Sequence, residues 1–223
     1  SCHIDKDNPL VQITSYVYNN YYVSTNGGTS FPSYFNNSRG SFINPFDYDN
    51  ANNILYAGDN AGTFYRWNAP PTASTDSQVT VTAFNGYKVT HVSVSPITNN
   101  RVFFGLTNGS VVMVDSANVG TTRTGKVIKP ALGTGGNLSC IAVDSADENH
   151  MLVSYSNYGV TQILESTTAL QTTPVWTAIQ GNLSDMPVRW CMFYPQSPTR
   201  AIIATETGVW TTDQINGSST VWD

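Results

Sequence analysis

Two acidic residues, Asp59 and Glu206, are the candidates for acid–base chemistry in this sequence. Each lies in a short turn directly after a predicted strand, so both would face the same rim of a repeated fold. Cleavage of a glycosidic bond needs two carboxyl groups about 5 to 10 Å apart across the sugar. Nothing in the neighbouring sequence indicates a raised carboxyl pKa. We therefore expect solvated turn acids, with a catalytic pair as the alternative.

Metal-binding patterns are weak in this chain. The three histidines, His3, His91 and His150, lie in unrelated contexts without the paired spacing of a zinc site. Oxygen-rich turns occur at Asp47–Asn50 and Asp144–Glu148, but neither matches the 12-residue loop of a calcium site. We expect polar turns and no cofactor, with Ca²⁺ as the alternative.

Exposed aromatic residues are further candidates for a binding site, because such rings stack on sugars and pack against protein partners. The strongest candidates are Tyr158, Trp190 and Trp210. Repeated β-sheets also bury many aromatic rings between them, so a core position is the competing interpretation for each.

The elements that would position these residues repeat along the chain. Turn glycines recur at Gly62, Gly109, Gly159 and Gly208, with spacings of 47, 50 and 49 residues, and each follows a strand pair. Each unit of about 50 residues reads as four short strands, which is the pattern of a β-propeller blade. Asn19 lies near the equivalent position of the first unit and tolerates the positive φ of such a turn.

The predicted fold is all-β, a β-propeller of about four to five four-stranded blades. The predicted units cover approximately residues 11–40, 41–87, 88–136, 137–187 and 188–223 of a single domain or segment. Residues 1–10 read as an irregular lead-in, so the first unit lacks its opening strand, and the last lacks most of its closing strand. We expect part of a larger propeller. The alternatives are a small closed ring and a solenoid-like or β-sandwich arrangement.

The three cysteines do not form a disulfide framework. Cys140 and Cys191 occupy the same place in successive units, each in a first strand. We expect both to be buried small hydrophobic residues, since the Cα atoms of adjacent innermost strands exceed the disulfide limit of about 7 Å.

A loop motif in the first unit resembles the Asp-box of sialidase-like and sortilin-like propellers, S-x-D-x-G-x-T-W. Its residues are Ser24, Asn26, Gly28, Ser30 and Phe31, with Asn, Ser and Phe replacing Asp, Thr and Trp. The resemblance implies a structural role, in which the polar side chains bond the turn and the aromatic ring fills the blade. A second degenerate copy runs from Thr211 to Trp222.

The repeats as a whole resemble BNR, sortilin and xyloglucanase-type propeller repeats, and more loosely those of the WD40 and YVTN types. The matching pieces include Cys140–Asp144, Ile54–Gly58 and Ile202–Trp210. The resemblance covers most of residues 11–222 and implies architecture more strongly than any one activity.

Composition limits the choice of function. The net charge is −5 and charged residues make up 11%, with four lysines, so no basic face for nucleic acid is evident. No apolar run reaches the roughly 20 residues that span a bilayer. We expect a secreted or cell-surface, non-catalytic propeller that serves as a scaffold or binds protein or glycan. The alternatives are a fragment of a xyloglucanase-like glycoside hydrolase and a subunit or assembly factor of a larger extracellular complex.

Overall fold

The computed structural model describes residues 1–71, 76–133 and 135–223, and within β4 only the backbone is described. The chain folds into five sheets, which are antiparallel except for one short parallel pair. Sheet 1 contains β1 (Cys2–Ile4), β2 (Gln12–Ser15), β3 (Asn19–Ser24) and β4 (Ser33–Asn37). Sheet 2 contains β5 (Phe46–Asp49), β6 (Ile54–Gly58), β7 (Thr63–Asn68) and β8 (Asp76–Val81). A single turn of 3-10 helix, Thr82–Phe84, follows.

Sheets 3 to 5 continue the pattern. Sheet 3 contains β9 (Val89–Val94), β10 (Val102–Leu106), β11 (Val111–Val114) and β13 (Lys126–Lys129). The connection between its last two strands contains β12 (Thr122–Arg123), which pairs in parallel with β8 of sheet 2. Sheet 4 contains β14 (Leu138–Val143), β15 (Met151–Tyr155), β16 (Ile163–Ser166) and β17 (Thr177–Ala178). Sheet 5 contains β18 (Val188–Tyr194), β19 (Ser197–Thr205) and β20 (Val209–Thr212).

The beginning of the chain corrects one prediction. Residues 2–4 form β1, which pairs with β2 through Cys2–Thr14 and Ile4–Gln12, so sheet 1 has its opening strand. Three residues are too few for a periodic pattern to be visible in the sequence. Long-range contacts identify the strand instead, since the ring of His3 lies 5.0 Å from that of Tyr48.

Turn geometry follows the predicted glycine repeat. Gly62, Gly109, Gly159 and Gly208 all have positive φ between the second and third strands of sheets 2 to 5. Sheet 1 differs from the prediction, because Tyr18 takes the positive φ of 55° and Asn19 begins β3 with a buried side chain. The carboxamide oxygen of Asn19 accepts hydrogen bonds from Tyr21 and Asn44, a pairing that favours the strand position.

The core consists of four apolar layers, one between each pair of neighbouring sheets. Tyr21, Tyr65 and Trp67 are among the residues between sheets 1 and 2, and Phe64 packs on Phe104 between sheets 2 and 3. The second strands of the sheets with two neighbours are therefore buried on both faces, as β6, β10 and β15 show.

The first strands of the later sheets form the inner edge of the arrangement. β5 contacts β9, β9 contacts β14, and β14 contacts β18. Register shifts leave Thr90, Ser139 and Arg189 without a pairing partner at equivalent places in β9, β14 and β18. Such bulges redirect side chains, and the bulge at Arg189 positions the site described below.

Candidate functional site

Asp59, one of the two candidate acids, lies inside the protein. Its Oδ1 is 3.4 Å from Nε of Arg39, and its carboxylate accepts hydrogen bonds from Asn60 N at 2.9 Å and Gln78 Nε2 at 3.3 Å. Burial raises the pKa of Asp59, against the opposing effect of Arg39. The expectation of a solvated turn acid is wrong here, because the turn folds back under the segment that carries Arg39. The side chain has no exposed surface with which to reach a substrate.

Glu206, the second candidate, lies on the surface in the turn between β19 and β20. Its Oε2 accepts a hydrogen bond of 2.5 Å from the hydroxyl of Tyr158, and its Oε1 forms an ion pair with Arg189. The hydrogen bond from Tyr158, together with Arg189, lowers the pKa of Glu206. The carboxylate is therefore ionised at neutral pH.

Three side chains thus meet across the boundary between sheets 4 and 5, and we call Tyr158, Arg189 and Glu206 the rim cluster. Tyr158 lies in the turn between β15 and β16, Glu206 in the equivalent turn of sheet 5, and Arg189 in the bulge of β18. Tyr158 is 61% exposed, although its hydroxyl group is bonded to Glu206.

The turn that carries Tyr158 is fixed from a neighbouring loop. Both carboxylate oxygens of Asp185 accept hydrogen bonds from Gly159 N, at 2.9 and 3.0 Å, and Asp185 also accepts one from Gln162. Because the backbone next to Tyr158 is anchored, the ring is presented in a defined orientation.

The two tryptophan candidates have different environments. Trp190 is 53% exposed, and its ring lies edge-on to that of His91 at 5.3 Å. Burial lowers the pKa of His91 to about 4, so this contact involves a neutral imidazole at physiological pH. Trp210 is half-buried and packs against the apolar layer between sheets 4 and 5. Of the two, Trp190 is the more exposed.

A shallow cleft of about 470 Å³ lies along β14 and β18, toward the rim opposite the rim cluster. Its lining includes Asp144, Trp190, Met192 and Tyr194. Cys140 and Cys191 also line it as free, buried thiols, and the thiol of Cys140 donates to the carbonyl of Cys191 at 3.3 Å.

The loop that resembles an Asp-box is held by its own polar side chains. Ser24 Oγ accepts a hydrogen bond from Gly28 N at 2.9 Å, and Asn26 Oδ1 accepts one from Ser30 N at 3.1 Å. Phe31 does not fill the sheet as expected. It is 38% exposed, because Pro32 separates it from β4, which begins at Ser33. Trp222, in the second degenerate copy, is buried, and its Nε1 donates to Ile179 O at 2.8 Å.

The oxygen-rich turns use their carboxylates within the protein. Asp47 accepts hydrogen bonds from Val94 N and Tyr48 N, both at 2.8 Å. Glu148 bonds Ser95, Thr98 and Arg101 of sheet 3. Among the described residues, no group of three or more His, Cys, Asp or Glu side chains is placed to hold a metal ion.

His150 forms an ionic contact that the sequence did not indicate. Its Nδ1 lies 3.2 Å from Asp144 Oδ2 and its Nε2 lies 2.9 Å from Glu165 Oε1, and its ring is 4.5 Å from that of Phe193 in sheet 5. The i, i+15 separation of His150 and Glu165 follows only from the pairing of β15 with β16. Both ring nitrogens are engaged, so His150 cannot also act as a base toward a ligand.

The two candidate acids lie in separate environments, because Asp59 contacts Arg39 and Glu206 forms its ion pair with Arg189. The carboxyl group with a raised pKa is buried, and the exposed one is ionised and paired. The sequence suggested Tyr158 and Glu206 separately, and it missed Arg189, whose position follows from a bulge that only the strand register reveals.

Comparison with known proteins identifies the fold. No protein-family model matches the sequence, and no curated protein matches it either. The structure is similar to a GH74 enzyme from Niastella koreensis, with a TM-score of 0.71 and 18% identity over 99% of this chain and 37% of that one.

It is also similar to the GH74 xyloglucanase from Xanthomonas campestris, with a TM-score of 0.69 and 12% identity over 96% of this chain and 36% of that one. A component of the COPII outer coat vertex on membranes gives a TM-score of 0.69 and 12% identity over 99% of this chain and 61% of that one. The chain spans less than two thirds of each of these structures.

These similarities support the predicted β-propeller architecture, since the five sheets follow the arrangement of known propeller proteins. At identities of 12 to 18%, they show the fold alone. In the described part of the chain, no helix has the length and apolar character needed to cross a membrane.

Proposed function

We propose that this chain belongs to a secreted or cell-surface β-propeller that binds a glycan without cleaving it. The observation that carries the proposal is the rim cluster, an exposed tyrosine ring oriented by a carboxylate and a guanidinium from the next sheet.

The chemistry of the rim cluster suits a sugar. The apolar face of a pyranose packs on an aromatic ring, and its hydroxyl groups both donate and accept hydrogen bonds. Glu206 offers acceptor oxygens and Arg189 offers donors within reach of the same ring. Charged groups make stronger hydrogen bonds than neutral ones, which gives such a site orientation as well as affinity.

A non-catalytic role is supported by the two candidate acids. A retaining or inverting glycosidase needs a proton donor whose pKa is raised and which reaches the glycosidic oxygen. The pKa of Asp59 is raised, but its side chain is fully buried next to Arg39. Glu206 reaches the surface but is held in its ionised form.

Binding of soluble polysaccharides tests this proposal. Affinity electrophoresis against xyloglucan and a panel of other glycans should show retardation of the wild-type chain, and Tyr158→Ala should reduce the affinity roughly tenfold or more. The matched control is Tyr16→Ala, because Tyr16 is 72% exposed in a turn of sheet 1, away from the rim cluster. Equal retardation of wild type and Tyr158→Ala would overturn the assignment of this site.

A second candidate function is a fragment of a xyloglucanase-like glycoside hydrolase. The similarity in fold to two GH74 structures favours it. Release of reducing sugars from xyloglucan, abolished by Glu206→Gln, would establish this function in place of simple binding. The similarity to a coat vertex component supports a third possibility, assembly with other proteins.

A further inference from the structure

A polar pocket of about 360 Å³ lies beside the rim cluster, where the turn between β15 and β16 meets the connection from β17 to β18. Its wall includes Gly159, the residue next to Tyr158, so the pocket and the exposed ring belong to the same turn. We call it the acceptor pocket, after the side-chain oxygens of Gln162, Gln180 and Asp185, which line it.

The carboxamide of Gln162 has one defined orientation. Its Nε2 donates a hydrogen bond to the carboxylate of Asp185. Because a carboxylate can only accept hydrogen bonds, the nitrogen of Gln162 faces Asp185 and the oxygen is directed elsewhere. Gln162 is 2% exposed, and its Oε1 is buried without a hydrogen-bond partner among the described residues.

Gln180 provides a second oxygen of the same kind. Its Oε1 is also buried and has no hydrogen-bond partner in the described part of the chain. A buried acceptor without a donor is unfavourable, because it has lost its hydrogen bonds to water and gained none in return. Two such oxygens beside one pocket therefore indicate a ligand that donates hydrogen bonds.

The charges around the acceptor pocket favour a cationic ligand. No Lys, Arg or His side chain of the described residues forms an ion pair with Asp185. Arg189 and Glu206 pair with each other, so their charges offset. The face of an exposed aromatic ring such as that of Tyr158 also attracts cations.

A bound metal ion fits the acceptor pocket less well than an organic cation. Calcium takes roughly six to eight oxygen ligands and favours several carboxylates. The residues that line the pocket include one carboxylate, that of Asp185, which already accepts hydrogen bonds from Gly159 and Gln162.

We infer that the acceptor pocket binds a protonated amino group, and that the glycan bound at the rim cluster is a polymer of amino sugars. The inference rests on the proposed function and deepens it by naming the class of glycan. An ammonium group has three donors and no acceptor, which matches two carboxamide oxygens and a carboxylate. The pyranose that carries it packs on Tyr158, the neighbour of the pocket wall. An acetylated amino group has lost the charge and all but one donor, so it is a poorer ligand.

Isothermal titration calorimetry with two oligomers of equal length tests the inference. One is β-1,4-linked glucosamine and the other is its N-acetylated form, both in mildly acidic buffer that keeps the free amines protonated. The wild type should bind the amino oligomer at least about tenfold more tightly than the acetylated one. The ratio of the two affinities should fall as the salt concentration rises, because salt screens the charge of Asp185.

Two variants remove parts of the acceptor pocket. Asp185→Asn should bring the ratio of affinities close to one, and Gln180→Met, which removes a carboxamide oxygen at similar side-chain length, should lower it severalfold. The ratio is the readout because any general change in the turn of Tyr158 affects both oligomers. The matched control is Asp213→Asn, since Asp213 is an exposed acid at the opposite end of β20 from Glu206, and it should leave the ratio unchanged.

Each outcome separates this inference from the proposed function. A preference for the amino oligomer that disappears in Asp185→Asn supports the inference, whereas one that persists there overturns the assignment to this pocket. Equal binding of both oligomers, or binding of neutral xyloglucan alone, overturns the inference and leaves glycan binding in place. Binding of N-acetyl-lysine methylamide without any glycan overturns both in favour of a lysine-bearing peptide, and no binding of any of these ligands overturns both outright.

Discussion

At the scale of single residues, the contacts of His150 with two carboxylates make its contribution to stability depend on pH. Burial lowers the pKa of His150, but the hydrogen bonds to Glu165 and Asp144 outweigh it, and the net pKa lies above the usual 6.5. The folded state thus binds the proton more tightly than the unfolded state does. The stabilisation is fully present below about pH 6.5 and is lost as the pH rises through the folded-state pKa.

We therefore expect His150→Asn to destabilise the protein most in mildly acidic solution. The loss in free energy of unfolding should be about 1 to 2 kcal/mol near pH 5.5 and should shrink as the pH approaches 9. Urea unfolding of wild type and variant across this range measures the difference. In a Glu165→Gln background the pH dependence should weaken. A difference that is constant with pH would show that the imidazole acts only through packing on Phe193.

At the scale of elements, the turns between second and third strands need glycine for two different reasons. One is the positive φ, and the other is the lack of space for a side chain. Gly62 and Gly109 both have a φ of 80°. An added Cβ at Gly62 would meet no atom closer than 3.7 Å, whereas at Gly109 it would lie 2.9 Å from Gly136 O and 3.0 Å from Tyr155 Cε1. The same backbone conformation is thus found in an open turn and in a crowded one.

The same substitution at Gly62 and Gly109 therefore separates the two effects. Gly62→Ala should lower the free energy of unfolding by about 1 to 2 kcal/mol, the penalty of a left-handed conformation for a residue with a Cβ. Gly109→Ala should lose a further ~1 to 3 kcal/mol, because the backbone oxygen of Gly136 cannot rotate away. Chemical denaturation of both variants provides the measurement. Equal losses would mean that the turn at Gly109 relaxes without strain.

Elements also show where sequence reasoning succeeds. The glycine period and the alternating strands predicted the four-strand units of sheets 2 to 4, because local turn chemistry and burial recur at a fixed spacing. β1 was missed since its three residues are paired only through contact with β2. Arg189 was missed for a related reason, because a bulge is a property of two strands in register. The burial of Asp59 likewise depends on Arg39, which is distant in the sequence and outside its own turn.

At the scale of the whole molecule, the sheets differ in how many of their faces are covered. Sheets 2, 3 and 4 pack against a neighbour on both sides, whereas sheets 1 and 5 are each covered on one side alone within the described chain. Apolar layers of this kind provide most of the stability of stacked β-units, and terminal units open more readily than central ones.

Hydrogen exchange should reveal this gradient in the 223-residue chain. Amides of β18, β19 and β20 should exchange at least about tenfold faster than those of β9, β10 and β11, because opening sheet 5 disrupts one apolar layer and opening sheet 3 disrupts two. Exchange followed by mass spectrometry of proteolytic peptides resolves the two sheets. Met192→Glu should leave this gradient intact, since the side chain of Met192 is exposed, whereas Ile203→Ala should steepen it by weakening the layer against sheet 4. Uniform exchange across all five sheets would instead mean that the chain opens as one cooperative unit, with the layer between sheets 4 and 5 as strong as those at the centre.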